Sequence, residues 1–229
     1  MLNYYSKKQP EYLIEDWPGK YETFSWIEFA VTIPNAIFVV TTLKENGMPN
    51  ANIQSWGLML NEGESNHFLM AILRHQHTYS NIIRNGEWCI NYLPRDRQVE
   101  ALKTIQNNTE VNDEIVNSGL TPLKLHCMQT PGISESKIVL ECKLKWHKAL
   151  VDNSRWELFC GEICGFHLDD SILIADPEKR IANLNLMYNV RGTVNPVNGD
   201  YYGPNTLGIL NSIEKCYDDC GDKYRYTNE

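Results

Sequence analysis

Arg74 and Thr78 stand four residues apart, where an apolar run ends and a helical pattern begins, with His75 and His77 between them and Asn81 one turn further on. A guanidinium can fork onto the oxygens of an anion, and a helix start offers a hydroxyl and free N–H groups to the same charge. Arg74, His77, Thr78 and Asn81 are therefore a candidate anion cradle. The plainer alternative is a helix capped by Thr78 beside a solvated strand-end charge. Upstream, Asn50, Asn52, Ser55 and Trp56 supply amide, hydroxyl and indole groups that could act as fixed donors and acceptors. In an extended strand Asn50 and Asn52 project to one side and Ser55 to the other, so all three meet one ligand only through a bulge or backbone groups. Turn formation by Asn50 and a buried anchor at Trp56 are the structural alternatives.

His75 and His77 form an H-x-H pair, but no nearby carboxylate or cysteine completes a ligand set, so no metal is expected. The seven cysteines are an odd, scattered set, most of them inside apolar runs where a reduced thiol packs as a small hydrophobe. Cys160 and Cys164 on one strand would stand about 13 Å apart, beyond a disulfide or a shared metal. Cys216 and Cys220 would share a helix face and are a candidate thiol pair or metal site. The sequence carries no nucleophile triad, paired-carboxylate motif, P-loop or G-x-G-x-x-G fingerprint. An activity would therefore draw its chemistry from a bound cofactor.

The elements that must position these groups are mostly strands. Ala36 to Leu43 is β-branched and apolar enough to be buried on both faces, and Asn46-Gly47 supplies the positive φ of a tight hairpin into a second strand over about Ala51 to Leu60. His67 to Leu73 and Trp88 to Leu93 read as further strands, with a two-turn helix from Thr78 to a Gly86 stop between them. Asp96 to Gln106 sets Val99, Leu102 and Ile105 on one face of an amphipathic helix. Residues 107 to 135 read as connection and short helix. Ile138 to Trp146 alternates, with Glu141, Lys143 and Lys145 on its wet side, and pairs with Trp156 to Leu168; Ser171 to Ala175 follows as one more apolar run. The pattern predicts a mainly β fold, an antiparallel split β-barrel of Greek-key type with a few peripheral helices. One domain over 1–229 is expected, with an aromatic packing arm (about 1–30: Tyr12, Trp17, Tyr21, Phe24, Trp26, Phe29) and a loop-rich C-terminal extension (about 177–229).

Twenty-nine acidic against 21 basic residues give a formal charge of −8, which repels a polyanion, so nucleic acid is not an expected partner. No apolar run is long enough to span a membrane and the N-terminus lacks a secretory core; with the cysteine usage, this predicts a cytoplasmic protein.

The stretch from Pro34 to Pro94 resembles the flavin reductase-like branch of the FMN-binding split-barrel proteins, which includes flavoredoxin and the small-component flavin reductases. The likeness rests on Pro34 with the run Phe38 to Thr42, on a G-x-P-N-x-x-x-x-S-W segment (Gly47, Pro49, Asn50, Ser55, Trp56), and on T-x-x-N-I (Thr78, Asn81, Ile82) followed by Gly86-Glu87 and Ile90-Asn91. A later match is Phe159 to Ile163 with His167. The resemblance implies FMN as cofactor, NADH or NADPH as candidate donors, a phosphate site around Arg74, His77, Thr78 and Asn81, and ring contacts from Asn50, Asn52, Ser55 and Trp56. It places His167 near the nicotinamide or flavin face, against the alternative of a structural histidine. It further implies a homodimer with flavin near the interface. Ser154 to Phe159 stands where the small-component reductases carry Asp-His-Thr, which inclines the reading towards the flavoredoxin-like branch and a redox-protein partner. The expected function is an FMN-binding oxidoreductase; the alternative is a flavin store or sensor without turnover.

Overall fold

The computed structural model describes residues 4–210 except 14, 16–18, 32, 107, 204 and 205; Trp17, Cys216 and Cys220 lie outside the described residues. Seven strands form its main sheet: β1 (Phe38–Leu43), β2 (Pro49–Gln54), β3 (Gly57–Glu62), β4 (Ser65–Leu73), β5 (Glu87–Tyr92), β6 (Ile138–Ala149) and β7 (Trp156–Leu168). All pairings are antiparallel, in the spatial order β2-β1-β5-β6-β7-β4-β3. The two outermost strands, β2 and β3, are joined by Ser55 and Trp56 alone. Three peptide links span at most about 11 Å, so the sheet must curl until its edges nearly meet. The result is a barrel split between β2 and β3.

Its interior is filled by Phe38 and Val40 of β1, Phe68, Met70 and Ile72 of β4, Trp88 and Ile90 of β5, Leu140 and Cys142 of β6, and Phe159 of β7. A second cluster forms outside β1, where Val39 and Ala51 meet Leu93, Ala101, Ile115, Leu120, Ile133 and Met187. Both faces of β1 are thereby buried, as its unbroken apolar composition requires.

Among the described residues a single helical turn at Lys20–Thr23 leads into the helices around the barrel: α1 (Trp26–Ala30), α2 (His77–Asn85), α3 (Gln98–Lys103), α4 (Glu114–Asn117) and α5 (Pro177–Leu184). The free edge of β2 is blunted by side chains: Glu114 Oε2 accepts from the Ala51 N–H at 2.9 Å, and Thr104 Oγ1 accepts from the Ile53 N–H at 3.2 Å. Glu114 also forms a fully buried ion pair with Lys44 at 2.8 Å. A small sheet pairs Asn35–Ala36 with Tyr188–Asn189, which pairs with Leu207–Gly208, and so returns the C-terminal segment to the barrel.

Several expectations are corrected. The single strand over Ala51 to Leu60 is two strands on opposite edges, broken at Ser55-Trp56. Gly57 makes the corner possible, because a Cβ there would sit 2.7 Å from both Phe38 and Phe68 rings. Only Gly47 of the Asn46-Gly47 pair has positive φ. Helix α2 is capped by Gln76, not Thr78, and Gly86 (φ 69°) ends it. Val99, Leu102 and Ile105 do not face the core; all three are exposed, and the buried residues of that turn are Ala101 and Thr104. Glu141 is buried because the chain around Cys127 covers its face, and Trp146 is half-exposed. Ser171 to Ala175 opens as a 3-10 turn (Asp170–Ile172), and the supposed tail loop begins with α5, for which Asp176 as N-cap and Pro177 at the first turn were the available signals.

Candidate functional site

Strand β2 projects Asn50, Asn52 and Gln54 to one side and Ala51 and Ile53 to the other, and the polar side faces the start of α2. Asn50 Nδ2 and Asn52 Nδ2 donate to Thr78 Oγ1 at 3.2 and 3.3 Å. Asn52 and Gln54 donate to Gln76 Oε1 at 3.1 and 3.3 Å. A row of amides about 13 Å long thus runs along β2 and is braced against the loop that enters α2.

The cations around that helix start are partly committed. Arg74 Nε and Nη2 donate to Glu157 Oε2 at 2.9 and 2.6 Å, while His147 Nδ1 lies 2.6 Å from Glu157 Oε1. Burial pushes the Glu157 carboxyl up, but hydrogen bonds from His147 and Arg74, with their charge, outweigh it and hold the group below the usual range. Arg74 is therefore not a free phosphate cation, and only the side of its guanidinium turned from Glu157 is left for an anion. His77 Nε2 stands 3.3 Å from Glu110, and its buried Nδ1 has no partner. Asn81 does not point at a ligand: its Nδ2 donates to Thr42 Oγ1 at 3.0 Å and its Oδ1 accepts from Arg84, pinning α2 to β1.

Gln54 also borders a cavity of about 370 Å³. Its apolar walls are Ile37, Ile53, Leu102, Ile105 and Leu207, and its polar ones include Gln54, Ser55, Gln98 and Asn189. The amide oxygens Gln54 Oε1 and Asn189 Oδ1 of two lining residues are buried away from solvent without a hydrogen-bond partner. A planar apolar ring suits a slot with these walls.

Trp56 closes one side of this cavity, but it is also an anchor. Its Nε1 donates to Glu28 at 3.1 Å, Phe24 stacks on it at 5.3 Å, Trp156 meets it edge-on at 5.0 Å, and the Arg191 guanidinium lies 5.1 Å above it. The N-terminal arm is thereby folded onto the rim. Ser55 is buried beside it.

His167 lies elsewhere. It is eleven residues beyond Trp156 on β7, roughly 35 Å along the strand, where its Nε2 meets Glu141 at 2.8 Å and its ring stacks on His126. Within one chain it does not reach the Gln54 cavity. A larger cleft of about 780 Å³ borders β3 and that far part of β7, but its walls, such as Leu58, Met59, Ile138 and Phe166, are overwhelmingly apolar and offer no anion site. Among the described residues no group of three His, Cys, Asp or Glu side chains is arranged to hold a metal, and no helix is long and apolar enough to cross a membrane.

Gln54, Gln76, Asn189, Leu102 and Ile105 belong to the candidate site by their place beside the amide row or the cavity, and sequence reasoning missed them. Gln54 shares the parity of Asn50 and Asn52 and could have been found by extending that row. Asn189 carries no local signal.

A family described as flavin reductase like domain matches residues 30–192. Among solved structures, nitrilotriacetate monooxygenase component B from Bacillus cereus superposes with a TM-score of 0.74 at 18% identity, over 94% of this chain and 98% of that one. A split barrel domain protein from Shewanella frigidimarina NCIMB 400 gives 0.68 at 20% identity, over 86% and 93%. Flavoredoxin of Desulfovibrio vulgaris (Miyazaki F) gives 0.67 at 20%, over 82% and 93%.

Proposed function

We propose that this chain, which belongs to the flavin reductase like family, is an oxidoreductase that uses FMN. The ring would lie in the Gln54–Asn189 cavity and the phosphate near Gln76–Thr78. The observation that carries this reading is the row of amides Asn50, Asn52 and Gln54 braced against the start of α2, with an apolar-walled cavity bordered by the last of them, Gln54. FMN, when bound, supplies the hydride and electron chemistry that no side chain here can perform. Asn52 and Thr78 are the donors nearest the helix start, with the open side of Arg74 and the N-terminus of α2 adding positive potential. Gln54 and Asn189 would be the polar side chains beside the ring, and Ile53, Leu102 and Ile105 would supply apolar walls that exclude water from it. NADH, NADPH or a reduced redox protein is the proposed electron source, as the names flavin reductase and flavoredoxin among its relatives suggest. A homodimer is part of the same proposal, supported by the exposed apolar edge strand Leu58, Met59 and Leu60.

Titration of the purified protein with FMN, followed in the visible spectrum, should show saturable binding. Gln54→Leu should weaken it roughly five- to tenfold, the worth of about one hydrogen bond. A colourless protein that takes up no FMN would sink the reading. Anaerobic addition of NADH and NADPH should then bleach the flavin; binding without bleaching by either would favour a store or sensor.

A further inference from the structure

Cys164 is the extra residue of a β-bulge. Strand β7 pairs Ile163 with Cys142 and Gly165 with Glu141, leaving Cys164 without a partner on β6. The bulge turns its side chain to the outside of the barrel, against the cluster of Cys89, Leu125, Met128 and Val139. Over that cluster runs the segment that carries Cys127, and two carboxylates strap it down. Glu141 accepts from the Cys127 N–H at 2.7 Å, and Glu87 accepts from the N–H groups of Gln129 and Thr130 at 3.0 and 2.8 Å. The Cys127 thiol donates to the Cys164 carbonyl at 3.4 Å, and the Cys164 thiol donates to the Glu141 carbonyl at 3.3 Å, so the two residues are in direct contact. Gly165 leaves the space for this approach, since a Cβ there would come 3.4 Å from Cys127 Sγ and 2.9 Å from Glu141 Oε1.

We propose that Cys127 and Cys164 form a reversible intrachain disulfide, with a hydroperoxide as the oxidant, and that this bond ties the Leu125–Thr130 segment to β7. Cys127 is exposed and Cys164 half-buried. Burial pushes the Cys164 thiol up to about 11, with Cys127 adding to the rise, so Cys164 stays protonated at neutral pH and Cys127 meets the oxidant first. The Cys127 thiolate attacks one peroxide oxygen, the O–O bond breaks, and a sulfenic acid and water result. Cys164 sulfur then attacks Cys127 sulfur; the S–O bond breaks, hydroxide leaves and takes the Cys164 proton as water. Two thiols and one hydrogen peroxide give one disulfide and two waters, with both sulfurs oxidised and the peroxide reduced by two electrons.

The full-length protein, reduced and then exposed to hydrogen peroxide, is quenched, alkylated and digested with trypsin. The peptide carrying Cys127 should be joined to the one carrying Cys164, and dithiothreitol should release it. Cys160 shares that second peptide, so Cys160→Ser must crosslink as the wild type does. Cys164→Ser should instead let Cys127 run on to the sulfinic acid. Amide exchange over 125–130 should slow by roughly threefold or more in the crosslinked chain. Oxidation of Cys127 with Cys164 still free, or its pairing with Cys160, Cys216, Cys220 or another chain, overturns the assignment. Unchanged exchange after crosslinking overturns the tether.

Discussion

Glu141 and Glu157 are buried carboxylates that each hold a histidine, His167 at 2.8 Å and His147 at 2.6 Å. For Glu141, burial raises the carboxyl, but the Cys127 N–H, the His167 hydrogen bond and the His126 N–H outweigh it and hold the group below the usual range. Glu157 is lowered in the same sense by His147 and Arg74. A carboxyl whose folded pKa is depressed stabilises the fold fully above its unfolded value, about 4.3 for glutamate, and loses that contribution as pH falls through the folded value. Thermal stability should therefore be flat from neutral pH to about 5 on this account and drop steeply below about 4. In Glu157→Gln the drop should be shallower, and the variant should be less stable at pH 7 by about 1 kcal/mol, because Arg74 and His147 lose a hydrogen-bonded partner but are themselves well exposed and stay solvated. Melting curves across pH 3–7 for both proteins decide it; parallel slopes would exclude Glu157. At this scale the family-like motifs divide. Asn50 and Thr78 meet at the candidate site, whereas Asn81, Glu87 and Asn91 hold structure: Asn91 donates to Val39 O and Thr41 Oγ1 and accepts from the Ile133 N–H.

Strands β5 and β7 show why a glycine stands in the Phe159 to Ile163 motif. Gly161 lies under Trp88, and a Cβ there would come 2.5 Å from Trp88 Cζ2 and 3.2 Å from Cys142 Cβ. The indole is itself fully buried, so it cannot retreat. Gly161→Ala should cost about 1–3 kcal/mol by overpacking, read as a lower urea midpoint with unchanged slope. A neutral outcome would mean that the barrel wall yields at this crossing. The same strand sets Glu157 and the core ring of Phe159 on one face, where His147 meets both, and its bulge puts Cys164 against the cluster outside the barrel.

At the scale of the whole molecule, the slot beside α3 and the apolar cleft beside β3 differ in character. The first has polar side chains among its walls and suits the proposed cofactor, whereas the second is almost wholly apolar and suits a protein surface, in keeping with the proposed homodimer. Leu58, Met59 and Leu60 are consecutive and each about half exposed or more (48%, 61% and 51%), which an edge strand facing water does not tolerate well. Light scattering should give twice the chain mass, and Met59→Glu should shift the protein towards monomer at equal concentration. A wild-type monomer would count against the shared interface.

Alternation, turn chemistry and apolar runs were enough to read the antiparallel barrel, because strands of period two and a glycine-ended helix are local patterns. They also located Asn50, Asn52 and Thr78, which the fold does bring together. What the chain order could not reveal was which local pattern the tertiary structure would override. Glu141 looked wet until a distant segment covered it, Arg74 looked free until β7 set Glu157 against it, and His167 looked close until the length of β7 carried it away. The Ser55-Trp56 corner, where the barrel closes on itself, and the meeting of Asn189 with Gln54 are products of chain closure. Such contacts depend on residues far apart in sequence and leave no periodic trace at either end.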